Sequence, residues 1–283
     1  MGSIPTPGTQ HILNFQLFMD NRPIGVIDSG LGGLSVWQAI VEKLPHESTI
    51  YLADSKNCPY GTKTEEEIYS LAKRLGSFML AKDVKLIVLA CNTITVTSLE
   101  KLRKDFPNIP FIGIVPVIKT AAKQSKSKRI GILSTKVTAE SPYQQSLIAR
   151  FANDCQVTVV GTEKLVPFVE SGNHHLSKQV VEEELMPFIK AGVDTIALGC
   201  SHFPFLKDKI QEVIGKNVLL LDSSGAIARQ VERVLQANQA FSDGRAVHAA
   251  FYTTGDSEHF RTTAIKLFPS CISLLQNTFK AGV

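Results

Sequence analysis

From Pro23 onward the apolar residues run in two alternating rhythms. Ile24-Gly25-Val26-Ile27 and Thr49 to Ala53 are short, nearly continuous apolar runs of the kind that form buried strands. Between them Leu34, Trp37, Ile40, Val41 and Leu44 recur at helical spacing. Thr64 followed by Glu67 has the form of a capping box, opening a helix that carries Ile68, Leu71, Leu75 and Phe78 on one face. Leu86-Ile87-Val88-Leu89-Ala90-Cys91 and Thr195-Ile196-Ala197-Leu198-Gly199-Cys200 are two further strand patterns, each ending in a cysteine and each followed by a helical pattern. The β-α-β-α alternation predicts an α/β fold, doubly wound, with a mostly parallel sheet and helices on both faces. Residues 1–22 have no sustained periodicity and contain Pro5, Pro7 and Gly8, so a loosely ordered N-terminal extension is expected there.

The two halves of the chain repeat each other. Gly25-Val26-Ile27-Asp28 matches Gly131-Ile132-Leu133-Ser134, Phe111-Ile112-Gly113-Ile114 matches Val218-Leu219-Leu220-Leu221, and Cys91 matches Cys200, at offsets of 106, 107 and 109 positions. Offsets that agree this closely imply two similar α/β domains related by a pseudo-two-fold axis. The ligand cleft would lie where their strand carboxyl ends face each other. Helical stretches after Pro116 and Ser224 serve as crossovers, giving a discontinuous first domain of residues 23–117 plus 225–283 and a second of residues 118–224.

Composition narrows the function classes. In 283 residues, 44% hydrophobic with a formal charge of +4, nothing points to nucleic acid, because the one basic cluster, Lys119, Lys123, Lys126, Lys128 and Arg129, reads as a solvated helix end. No apolar run reaches the ~18 residues that cross a bilayer, and the first twenty residues lack a signal-peptide pattern, so a cytoplasmic protein is expected. Five cysteines without such a signal argue against a disulfide framework and leave thiols for chemistry. No C-x-x-C occurs and His174-His175 follows the turn-like Ser171-Gly172-Asn173, so no metal is expected.

Cys91 and Cys200 each fall between a strand's carboxyl end and a helix start, where the helix dipole and free N–H groups lower a thiol's pKa. The glycine-rich turn Asp28-Ser29-Gly30-Leu31-Gly32-Gly33-Leu34-Ser35 nearly matches a dinucleotide fingerprint, with Asp54 about twenty residues on. Ser35 at the third glycine position and the carboxylate of Asp28 oppose that reading. Asp28 suits an ammonium or a proton transfer, and Ser29 with the loop N–H groups suits a carboxylate. His202, two residues past Cys200, can assist in acid-base chemistry or donate to a carboxylate. Cys58-Pro59-Tyr60-Gly61 is a tight turn. Glu170, by itself, reads as a solvated carboxylate.

These residues resemble those of glutamate racemases, the cofactor-independent enzymes that supply D-glutamate for peptidoglycan. The likeness runs from about Pro23 to about Gln239 and includes Asp28-Ser29-Gly30-x-Gly32-Gly33, Pro59-Tyr60-Gly61, Ala90-Cys91-Asn92-Thr93 and Gly199-Cys200-Ser201-His202-Phe203-Pro204. The resemblance makes Cys91 and Cys200 the proton donor and acceptor, with Asp28, Glu170 and His202 as assistants. It implies substrate contacts at Asp28, Ser29, Tyr60, Gly61, Asn92, Thr93, Thr138, Ser201 and His202. Ser201 stands where threonine is usual, keeping the hydroxyl but losing a methyl, and Ile94 stands where alanine is usual. His202 favours glutamate, since the related aspartate racemases carry glutamate at that place. The resemblance also implies a homodimer, no cofactor, and, from the N-terminal extension, activation by a UDP-linked muramyl precursor. Three other readings stay open on the residues: racemisation of aspartate, a nicotinamide-dependent oxidoreductase, and a two-domain amino-acid-binding protein.

Overall fold

A computed structural model describes residues 19–283 apart from 115–116, 173–176 and 270–272. His174-His175, Pro116 and the first eighteen residues of the expected extension therefore lie outside the described residues. The strands are β1 (Ile24–Asp28), β2 (Thr49–Ala53), β3 (Leu86–Leu89), β4 (Phe111–Gly113), β5 (Arg129–Ser134), β6 (Gln156–Gly161), β7 (Thr195–Gly199), β8 (Leu219–Leu221), β9 (Ala249–Thr253) and β10 (Thr278–Lys280). They form two sheets, in the orders β10-β9-β2-β1-β3-β4 and β6-β5-β7-β8, and every pairing is parallel. The order β2-β1-β3-β4 recurs as β6-β5-β7-β8. Even the register repeats, with Ile24 opposite Leu86 in one sheet and Ile130 opposite Thr195 in the other.

Helices cover both faces of each sheet, as parallel strands require. On the first sheet, α1 (Leu34–Lys43) lies on one face and α2 (Glu65–Ala81) and α3 (Asn92–Asp105) on the other. Alternation along β1 divides its side chains between the faces. Ile24 and Val26 pack with Leu34, Trp37 and Ile40, whereas Ile27 packs with Ile68, Leu75 and Ile94. Thr64 caps α2 in a full capping box with Glu67, as its spacing predicts. After β4 the chain passes through α4 (Ile118–Gln124) into the second sheet, whose coat is α4, α5 (Lys136–Glu140), α6 (Pro142–Phe151), α7 (Val166–Glu170), α8 (Lys178–Ala191) and α9 (Lys207–Ile214). Then α10 (Ser224–Ala237) returns to the first core, where Ile227, Val231 and Leu235 join the α1 cluster. β9, α11 (Ser257–Leu267) and β10 complete that sheet.

The N-terminal approach to β1 is tied down at Asp20, whose N–H donates to Phe241 O at 3.1 Å. Lys85 Nζ, almost fully buried, donates to Asp20 O at 2.7 Å and Ala240 O at 2.9 Å and pairs with the equally buried Glu47 at 2.5 Å. Glu47 in turn accepts from Ser242 N at 2.9 Å. Removing one partner of such a pair strands the other charge in the interior, at a cost of about 3–5 kcal/mol. Lys85→Ala is expected to lower unfolding stability by that amount in a urea titration. A loss under about 1 kcal/mol would mean that water reaches Glu47.

Candidate active site

The carboxyl ends of β1, β3 and β7 meet the loop after β2 around one small cavity. β1 ends at Asp28, fully buried, whose Oδ1 accepts from Gly30 N at 2.9 Å and whose Oδ2 accepts from Ser201 Oγ of the other half at 3.1 Å. Burial pushes the Asp28 carboxyl up, partly offset by His202 and by the Gly30 and Gly33 N–H groups. Cys91 is the N-cap residue of α3. Its thiol is not lowered by that position as expected. Burial, then the charge of Asp28, pushes it up to about 12, outweighing the Ile94 N–H and the Ser29 hydroxyl.

Cys200 lies just past β7, and the chain beyond it makes a 3₁₀ turn over Phe203–Leu206 before α9 begins, rather than the direct helix start expected. Its Sγ lies 3.7 Å from His202 Nδ1. The other ring nitrogen, Nε2, lies 2.5 Å from Glu170 Oε1. Burial opposes a charge on His202, but hydrogen bonds to Cys200, Cys58 and Glu170 outweigh it and raise the imidazole well above its ordinary value. Glu170 is no solvated carboxylate, for its Oε1 also accepts from Leu31 N at 2.6 Å, across the two halves.

That contact settles the glycine-rich loop. A Cβ at Gly30 would come 2.1 Å from Glu170 Oε1, and one at Gly32 2.3 Å from His202 Nδ1. The glycines admit these two side chains, which occupy the ground a pyrophosphate would need. Asp54 is buried and engaged by Tyr60 Oη at 2.5 Å and Thr254 Oγ1 at 2.6 Å, so it is not free for a ribose. The nicotinamide reading is overturned on both counts. Gly32→Ala should force the His202 ring off its rotamer, costing about 0.5–1.5 kcal/mol and about tenfold in kcat/KM. An unchanged kcat/KM in the folded variant would show that the ring position is immaterial.

Ser29, Tyr60, Gly61, Asn92, Thr93, Ser201 and His202 line the cavity, together with Cys91 and Cys200. Asp28, Glu170 and Thr138 stand behind its wall. Thr138 touches the Thr93 and Thr135 hydroxyls at 3.3 and 3.0 Å, and Thr135 takes the wall position expected of Thr138 because it precedes α5 at the end of β5. The duplication itself could have revealed Thr135, which lies 106 positions after Ser29. It could likewise have revealed Val166, another wall residue. Ile24 pairs with Thr49 where Ile130 pairs with Val157, an offset of 108 that carries Cys58 onto Val166. Cys58 itself gives no sign in the sequence beyond its turn; burial pushes its thiol up to about 11, and it reaches His202. Cys58, Glu170 and His202 each present one possible metal donor, all within 4.8 Å of one another.

The cavity is about 10 Å³, room for one water. Asn92 Nδ2 is buried without a protein partner, an uncommon condition for an amide. The family model for Asp/Glu/hydantoin racemases matches residues 24–231, most of the chain and every residue that lines the cavity. The chain belongs to the Asp/Glu/hydantoin racemase family. A glutamate racemase of Herpetosiphon aurantiacus is 43% identical over 248 residues, covering 86% of this chain and 96% of that protein. Among solved structures, Bacillus anthracis glutamate racemase RacE1 superposes with a TM-score of 0.81 at 30% identity, over 88% of this chain and 95% of that one. Escherichia coli glutamate racemase, in complex with L-glutamate and the activator UDP-MurNAc-ala, gives 0.81 at 32% identity, over 92% and 97%. The chain is thus a racemase, an isomerase, and no helix among its described residues is long and apolar enough to cross a membrane.

Proposed function

We propose that this racemase interconverts L- and D-glutamate without a cofactor, moving protons at Cα between Cys91 and Cys200, and so supplies D-glutamate for peptidoglycan. The observation that carries the reading is one thiol at the end of β3 and another at the end of β7, the equivalent strands of the two sheets, on the walls of one cavity. Inversion needs a base on one face of Cα and an acid on the other. One thiolate takes the α-proton, the opposite thiol gives its own, and the roles have then exchanged. The carbanion's extra charge falls on the carboxylate, where Asn92 Nδ2, unpartnered here, and the hydroxyls of Ser29, Thr93 and Ser201 can donate.

Ionising a thiol at about 12 at pH 7 costs about 7 kcal/mol. The substrate itself offsets part of this, because its ammonium, placed against Asp28, cancels the charge that opposes the Cys91 thiolate. Since glutamate exceeds the present cavity, it enters by separation of residues 23–117 plus 225–283 from residues 118–224. That motion breaks the Asp28–Ser201, Leu31–Glu170 and Thr93–Thr135 contacts and remakes them around the substrate.

The test is incubation with L-glutamate in D2O, without added cofactor, following circular dichroism and the α-proton by NMR. Loss of optical activity with deuterium in the D-product is the expected result. Turnover of aspartate instead would reassign the substrate, and binding without exchange at Cα would favour an amino-acid-binding protein. Repeating the assay with the UDP-linked muramyl precursor tests activation, read as an increase in kcat.

A further inference from the structure

We propose that Cys58, Glu170 and His202 form a binding site for a soft divalent cation of the Zn2+ class, which clamps the two halves of the chain together and inhibits turnover. The three donors, a thiol sulfur, a carboxylate oxygen and an imidazole nitrogen, lie within 4.8 Å of one another. Zinc bonds of about 2.3 Å to sulfur and about 2.0–2.1 Å to nitrogen and oxygen place neighbouring donors about 3.3–3.7 Å apart. Contraction of the longer sides of this triangle around an ion, with Glu170 Oε1 moving outward from its 2.5 Å contact with His202 Nε2, approaches that geometry. A mixed thiolate, imidazole and carboxylate set suits zinc, whereas magnesium and calcium favour all-oxygen sets. Water fills the fourth position, because Cys200 Sγ lies against Nδ1, the nitrogen on the far side of the ring from Glu170.

The placement of the donors in the chain gives the site its consequence. Cys58 belongs to the loop after β2, on the first sheet, whereas Glu170 ends α7 and His202 follows β7, on the second. A cation held by all three bridges the cleft and keeps it shut at a cavity volume of about 10 Å³, too small for an amino acid. Its binding displaces the Cys58 thiol proton and the proton shared by His202 and Glu170 to solvent, with no change in oxidation state.

The site stands on these donors whatever the substrate, so its test reads binding first. The full chain, stripped with a chelator, is titrated with Co2+ while the thiolate-to-metal charge-transfer absorption is followed. Zn2+ affinity is then measured by competition with a chromogenic chelator. One Co2+ per chain with a thiolate band is expected, displaced by Zn2+. Even outer-shell changes cost 10–100-fold in metal affinity; Cys58→Ser should abolish the band and weaken Zn2+ by about 100-fold, and Glu170→Gln should weaken it by at least about tenfold. Near-UV circular dichroism verifies that each variant is folded, and Cys91→Ala should bind as the parent does. No band in the parent chain, or a band and Zn2+ affinity that survive Cys58→Ser, would overturn the proposal, the latter by placing the ion on another thiol. A chain that failed to racemise glutamate but bound the cation in this pattern would leave the site standing.

Discussion

Cys91→Ala and Cys200→Ala should each lower racemisation of glutamate by about 10³-fold or more, within the range ascribed to a positioned acid or base. The more decisive expectation concerns hydrogen exchange. Because the equilibrium constant between enantiomers is one, any variant must lose kcat/KM equally in both directions, and rates alone say nothing about which thiol serves which face. With one thiol left, the enantiomer whose α-proton faces it can still be deprotonated, and the same sulfur returns a solvent-derived proton to the same face. Each variant should therefore exchange the α-hydrogen of one enantiomer with D2O without inverting it, and the two variants should select opposite enantiomers. Near-normal turnover by either would end the two-thiol scheme. Exchange of the same enantiomer by both would show that the two thiols do not face opposite sides of Cα.

The features that decide the site differ in how far they can be read from residues alone. Strand runs such as Thr49 to Ala53, and the Thr64 capping box, arise from local apolar pattern and hydrogen-bonding geometry, and the structure has them at those residues. The duplication reaches further, since the shared strand order of the two sheets is implied by offsets a reader can count. Contacts between the halves are the features that escape. Glu170 reads as a surface carboxylate until α7 delivers it to Leu31 N and His202, 139 and 32 residues away along the chain. The glycine turn nearly matches a phosphate loop in spacing, and only its residues Asp28 and Ser35 speak against one, because the groups its glycines make room for are side chains on the other half. Cys91 reads as an acidified thiol because helix position is local and visible, whereas the desolvation that overrides it comes from the closed cavity. The 3₁₀ turn after Cys200 escapes for a different reason: apolar residues at 203, 206 and 210 satisfy a 3₁₀ turn joined to an α-helix as well as one continuous helix.

Asp28→Asn is expected to act in two opposite senses at once. The variant loses the carboxylate that would face the substrate ammonium, a charged hydrogen bond worth about 1.5–3 kcal/mol, and its new amide hydrogens meet Gly30 N–H or Ser201 O–H, where an unmatched buried donor costs about 1–3 kcal/mol. Together these should lower kcat/KM by about 10²–10⁴-fold. Yet the same substitution removes a negative charge that raises the Cys91 thiol. Burial, the larger cause, remains, so the thiol should stay above its ordinary value but below the about 12 of the parent chain. A thiolate forms more readily when a neighbouring anion is gone, so the acid limb of kcat/KM against pH should move to lower pH as the maximum falls. The kcat/KM profile reports free-enzyme ionisations, so the shift is legible even if substrate binding is weak. A limb that moved upward would mean that Asp28 is neutral in the free enzyme and donates to the site rather than charging it. A limb that stayed in place with kcat/KM reduced would confine Asp28 to holding the ammonium and leave Cys91 governed by burial alone.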